Sequence, residues 1–320
     1  MAGTCDDHHC LVGGPSRDTD HGWPHDRPAP RSGYSILRDP QEAPNPVKSP
    51  RFVLYHGNCP DGFGAAWAAW RALGDGATYT AVLYGQPLPE LPVGAKVSIV
   101  DFSYPRDVLL ELLKRCSSLE VFDHHKSAEA ELKGLDFCLF DMTKSGAVLA
   151  WEWWHRHEET PCLLKYVQDR DLWRFVLPES RAVTAWLWSY PRDFETWTRL
   201  AEELENDFEN VSREGQALLR FQMQQVEVMC KQALVSDVGG YRVPVANATV
   251  FFSDVGERLC ELYPDAPFAA YYLDRADGIR QWGLRSRGDF DVSEIAKKYG
   301  GGGHLAAGGF TTSLKEGLIS

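Results

Sequence analysis

Four stretches of the chain place carboxylates and imidazoles where they could hold metal ions. They are His56 and Asp61 in HGNCPDG, Asp101 closing KVSIVD, Asp123-His124-His125 closing LEVFDHH, and Asp169 and Asp171 in YVQDRDLW. Oxygen ligands mixed with imidazole suit Mn²⁺, Fe²⁺, Zn²⁺ or Mg²⁺ better than a thiolate metal. Two such ions about 3.5–4 Å apart can clamp the attacking and leaving oxygens of a phosphoryl displacement. A carboxylate shared by both must sit centrally, and Asp101, alone at a strand tip, is well placed to bridge. His56 and Asp61 flank one turn and could reach different ions. Asp123 directly precedes His124, so it could orient an imidazole instead of ligating. A single Asp at a strand end more often caps the next helix. Such groups at four strand or turn ends together point to a metal centre.

The elements that must carry these residues follow from the apolar pattern. FVLYH, ATYTAVLY, KVSIVD, LEVFD and FCLF read as short buried strands. FGAAWAAWRAL, PRDVLLELLKRC with Pro105 in its opening turn, SGAVLAWEWWHRH capped by Ser145, and PCLLKYVQDRDLW read as helices. Strands alternating with helices at this spacing predict an α/β fold, a doubly wound, mainly parallel sheet. Ligands gather at the C-terminal crest of such a sheet, and the candidate residues fall there.

Residues 179–235 show no strand pattern and read as almost wholly helical, interrupted near Gly215, within a helical connector over 179–237. Strand texture returns after Gly239-Gly240 in YRVPVANA, FAAYYLD and IRQWGLRSR, and the helix VSEIAKKYG precedes the Gly-rich run 300–310. The expected organisation is therefore an extension over 1–50, a catalytic domain over 51–178, the connector, and a smaller α+β domain over 238–320. The extension is rich in Pro, Gly, Asp, His and Arg and reads as disordered. Its Cys5, His8, His9 and Cys10 match no zinc module.

Composition narrows the function. The 320 residues are 44% hydrophobic and 24% charged, ordinary for a globular protein. A formal net charge of −12 argues against binding long duplex nucleic acid, which needs a basic footprint. The eight cysteines show no CxxC pair, as expected in a reducing cytosol. No apolar run reaches the roughly 18 residues of a membrane span. Neither a signal peptide nor a transit peptide is visible, so the expected location is cytoplasmic. Most of the Trp residues read as packing groups, with base stacking the alternative.

The ordered set H-x-N-x-x-D-G (56–62), V-D (100–101), D-H-H (123–125), D-R-D (169–171) and G-G-G-G-H (300–304) resembles the DHH phosphoesterase superfamily with its C-terminal DHH-associated domain. The match runs over about residues 51–312. The resemblance implies a Mn²⁺-dependent phosphoesterase with two ions, other divalent metals being alternatives. It would act on short oligoribonucleotides, cyclic dinucleotides or nucleoside bisphosphates through a hydroxide that both ions activate. His56 and Asp101 would hold one ion, and Asp61, Asp101, His124 and Asp169 the other, with Asp171 the alternative last ligand. His125 would face the scissile phosphate and Asp123 would support the His pair. Arg285 would hold a distal phosphate, and the Gly-rich loop at Gly302-Gly303, read as an anion nest, would bring His304 to the nucleotide. Cys59 stands where many members of the superfamily have the first Asp of a D-x-D pair. It is either a soft ligand or a small turn residue.

Three alternatives follow. One is a pyrophosphatase or polyphosphatase. Another is a nucleotide-binding sensor whose catalysis Cys59 has weakened. Single-strand exonuclease action lacks the expected basic track. The helical segment 179–235 is long enough to support a homodimer.

Overall fold

The protein is described by a computed structural model covering residues 49–57 and 59–314. All but the last two positions of the expected extension, including Cys5, His8, His9 and Cys10, lie outside the described residues. Five apolar runs, β1 (Arg51–His56), β2 (Ala77–Val82), β3 (Lys96–Val100), β4 (Ser118–Asp123) and β5 (Cys138–Phe140), form a sheet in the order β2-β1-β3-β4-β5. Every pairing in it is parallel. Successive side chains on a strand point to opposite faces, so each strand feeds two cores. Val53, Val100 and Phe122 join one cluster, whereas Leu54, Ile99 and Val121 join the other. The first core is closed by α1 (Pro60–Leu73), α4 (Gly146–Trp154) and α5 (Cys162–Asp171), and the second by α2 (Arg106–Arg115). A short α3 (Lys126–Leu132) follows the His pair. The expected α/β class is the observed one, and β3 is the central strand.

Three helices come next: α6 (Ser180–Trp188), α7 (Phe194–Asn206) and α8 (Phe208–Cys230). The interruption expected near Gly215 is absent, because Gly215 lies within α8 and lets it pass close to α6. A Cβ there would stand 2.2 Å from the Ala182 carbonyl oxygen. The chain instead breaks at Asp207, whose side chain caps α8 by accepting from the Asn210 amide at 3.3 Å. The helical pattern also ends sooner than expected, since Leu234–Val238 is a strand, β6.

A second sheet has the order β10-β11-β9-β8-β7-β6. It comprises β6, β7 (Tyr241–Asn247), β8 (Phe268–Asp274), β9 (Ile279–Ser286), β10 (Gly302–His304) and β11 (Ala307–Ser313). All its pairs are antiparallel except β7 with β8, which α9 (Phe252–Leu262) connects as a crossover. The last helix, α10 (Val292–Lys298), packs on the β9–β11 side of this sheet. The Gly-rich run is a hairpin and not the expected nest. A Cβ at Gly303 would lie 2.3 Å from the Ala307 carbonyl oxygen, so only glycine lets the two strands approach.

A buried ion pair ties α5 to α9. Arg170 donates to both oxygens of Asp254, at 3.0 and 2.7 Å, with the two residues 7% and 2% exposed. Beside it Arg181 donates to Glu257 at 2.9 Å, and the Trp173 indole donates to the same carboxylate at 3.1 Å. The Arg170 guanidinium also lies 4.4 Å from the Trp173 ring centre.

Candidate metal centre

The crest is built from strand ends. Asp101 follows the last residue of β3, and its amide still donates to the Phe122 carbonyl of β4 at 2.8 Å. Its backbone turns into the left-handed region, with φ 62°. That conformation costs a non-glycine residue about 1–2 kcal/mol and is typical of functional positions. Gly146 makes the turn feasible from below, since a Cβ there would meet that of Asp101 at 2.5 Å. Gly62 plays the same part beside His56, whose carbonyl oxygen would lie 2.2 Å from an added Cβ.

Asp101 is 1% exposed and divides its two oxygens. Oδ2 lies 3.3 Å from His56 Nδ1, and Oδ1 lies 3.2 Å from His124 Nε2. Burial pushes this carboxyl up, but hydrogen bonds from His124 and His56 outweigh it and hold Asp101 well below the usual carboxylate range. His124 Nε2 also lies 3.6 Å from Asp61 Oδ2 and 3.6 Å from Asp171 Oδ2. Burial disfavours charge on His124, yet its bond to Asp101 and the nearby Asp171 and Asp61 raise its pKa to about 10. Its other nitrogen, Nδ1, is buried without a hydrogen-bond partner.

Asp61, at the start of α1, accepts from the first two amides of α4, Gly146 at 2.6 Å and Ala147 at 3.0 Å. Each carboxylate oxygen has a second lone pair, so these bonds leave Asp61 able to ligate. Burial, with Asp101 and Asp171 close by, pushes its carboxyl well up. Asp123 is saturated by comparison. Its Oδ1 accepts from the amides of His124 at 2.7 Å and His125 at 3.1 Å and meets His125 Nδ1 at 2.6 Å. Its Oδ2 accepts from Ser103 at 2.6 Å, a support the sequence reading missed. Burial raises Asp123, but His125 and Ser103 bring it down.

The expected last ligand needs correction. Asp169 is turned away from the crest and accepts from the amides of Val176 at 3.0 Å and Leu177 at 3.2 Å. These bonds tie down the loop after α5. Asp171, two residues on and about 200° around the helix, groups with Asp61 and His124.

Two further residues complete the mouth. Tyr84 sets its ring 4.6 Å from that of His56 and its hydroxyl 3.3 Å from His125 Nε2. Nothing in the sequence pattern singles it out. From the second sheet, His304 stacks on His125 with ring centres 4.9 Å apart. Burial, then His125 and His124, hold its pKa at about 4, so its imidazole is neutral at pH 7. Gly302 faces Ser127 of α3. Arg285 lies in register with His304 across the hairpin, since His304 pairs with Ala307 and Ala307 with Arg285. Its guanidinium sits 4.4 Å from the Trp173 ring, and its Nε is buried without a partner.

The donor set fits divalent cations. Three groups of ligand atoms each lie within 4.8 Å of one another: His56, Cys59 and Asp101; Asp101, His124 and His125; Asp61, His124 and Asp171. Asp101 belongs to two of them. Three carboxylates, two of them buried, share the imidazoles of His124 and His56, and a divalent cation would complete their charge balance.

No family model matches the chain. Uncharacterized protein R106 of Acanthamoeba polyphaga mimivirus is 30% identical over 292 residues, which cover 83% of this chain and 68% of that protein. The two belong to one family. Among solved structures, the pGpG-specific phosphodiesterase PggH of Vibrio cholerae is 13% identical with a TM-score of 0.43, over 84% of this chain and 95% of that one. RecJ of Thermus thermophilus in complex with Mn²⁺ is 17% identical with a TM-score of 0.46, over 84% of this chain and 50% of that one. Such low scores make these likenesses and nothing more. No helix among the described residues is long and apolar enough to cross a membrane.

Proposed function

We propose that this chain is a member of the DHH phosphoesterase superfamily and a metal-dependent phosphoesterase that hydrolyses short nucleotide substrates. One observation carries the reading: Asp61, Asp101 and Asp171 converge on His124 Nε2 at 3.6, 3.2 and 3.6 Å. Asp61, Asp101, His124 and Asp171 would hold one ion of the Mn²⁺ class, and His56 with Asp101 the other. Bound there, the ions would activate water and neutralise charge on the phosphoryl oxygens. The residues around them set the geometry. Asp123 fixes His125 through Nδ1, which directs Nε2 towards the mouth and a phosphoryl oxygen. Neutral His304 can donate to the substrate without adding charge.

Residues 51–178 would form the catalytic domain, 179–237 the connector and 238–320 the substrate domain. Paired residues on adjacent antiparallel strands point to one face, so Arg285 and His304 share a face of the second sheet about 10 Å apart. That spacing suits a substrate of one or two nucleotides, with Arg285 taking its distal phosphate. The smooth glycines at 302 and 303 would leave room for it.

The test is hydrolysis of a dinucleotide, a cyclic dinucleotide, adenosine bisphosphate, pyrophosphate and a single-stranded oligomer, with and without Mn²⁺. Asp101→Asn serves as the control for contaminating activity. Metal-dependent cleavage of one nucleotide, absent in the variant, is the expected result. Preferred cleavage of pyrophosphate would move the substrate class. Tight nucleotide binding without cleavage would replace the enzyme by a sensor.

A further inference from the structure

The two halves of the centre differ in donor chemistry. On the Asp61 side the ligand atoms are carboxylate oxygens and one imidazole nitrogen, from Asp61, Asp101, His124 and Asp171. On the His56 side the third donor is a thiol, since Cys59 Sγ lies with His56 and Asp101 inside one 4.8 Å group. Cys59 is not adrift in a loop. It is the N-cap residue of α1, and its carbonyl accepts from the Phe63 amide at 3.0 Å. Two residues later the same turn delivers Asp61 to the other side, so one piece of backbone sets both donors. The other described cysteines, 116, 138, 162, 230 and 260, belong to no such group.

Ligand softness selects among divalent ions: thiolate favours Zn²⁺, Fe²⁺ or Co²⁺, whereas carboxylates favour Mn²⁺ and Mg²⁺. We infer that the His56 side is a thiolate site, in which Cys59, His56 and Asp101 hold a thiophilic divalent ion while the Asp61 side holds a harder one. The centre would then take two different metals, with Asp101 contributing to both sides. This inference rests on the metal-centre reading above and adds to it the identity of one ligand and one ion class.

Cobalt reports both questions at once, because Co²⁺ bound by a protein shows visible d–d bands whatever its ligands. A thiolate ligand adds a near-ultraviolet charge-transfer band. Metal-free full-length protein is titrated with Co²⁺, beside Cys59→Ser and Cys59→Asp. The expected result is both kinds of band in the wild type, the charge-transfer band saturating at one equivalent. It disappears in both variants while the d–d bands remain. Loading with Zn²⁺ and Mn²⁺ together, followed by metal analysis, should give one of each in the wild type and a shift towards Mn²⁺ in Cys59→Asp. Visible bands without charge transfer in the wild type would overturn the thiolate site and leave the metal centre standing. A charge-transfer band that survives in Cys59→Ser would belong to another thiol and overturn it equally. No bands of either kind would overturn the site together with the metal centre on which it rests.

Discussion

Two clusters of buried charge draw on neighbouring residues of one helix, Arg170 and Asp171 of α5. Around Arg170 the ionic groups are matched: Arg170 and Arg181 face Asp254 and Glu257, and the Trp173 indole fills a remaining acceptor. Around Asp101 the groups are unmatched, with three carboxylates sharing the imidazoles of His124 and His56. Burying charge is tolerated where each group finds its partner, and the first cluster meets that condition from its own residues. The second meets it only with cations added. A complete cluster belongs to the fold, whereas an incomplete one marks a binding site.

The contrast can be broken from either side. The largest effect is expected from Asp101→Asn, which should reduce metal-dependent hydrolysis to background. The melting temperature of the chelated protein should fall only modestly, because the amide still meets His56 and His124 but gives up the charge that strengthens those bonds; turnover assays and thermal melts check both. Asp254→Ala should do the reverse. It strands Arg170 in the interior at a cost of about 3–5 kcal/mol, read by urea denaturation. Metal added at about 100 times its Kd should stabilise the wild type by about 2.7 kcal/mol in the same experiment. Asp254→Ala should keep that increment and Asp101→Asn should lose most of it. A finer pair lies within α5. Asp169→Asn should cost about 1–3 kcal/mol of stability with metal affinity unchanged. Asp171→Asn should weaken metal binding in calorimetry with stability unchanged. The smallest change is Tyr84→Phe, which removes a hydrogen bond worth about 0.5–1.5 kcal/mol to His125 and should lower turnover a few-fold.

The sequence made the crest legible because a parallel sheet ends its strands together, and apolar runs closing on Asp or His mark where. It could not separate Asp169 from Asp171, since both lie at the end of one helical pattern and only the packing shows that Asp169 is buried under the following loop while Asp171 meets His124. Arg170 carries no visible signal in the sequence because its partner Asp254 is 84 residues away. The glycine hairpin escaped detection because strands are recognised by alternating side chains, and glycines have none to alternate. Helix α9 was overlooked between two strands whose parallel pairing requires a crossover.

The hairpin also carries a consequence for how the molecule assembles. The first cluster of candidate ligands, His56 to Asp171, is complete within the first sheet and its helices, whereas His304 enters from the far end of the chain. Contacts across so long a separation close late, because each requires a large loop to be drawn together first. During refolding the protein should therefore recover cation binding before it recovers the His125–His304 stack. For an interval it would offer its cation ligands with the His304 side of the crest still open.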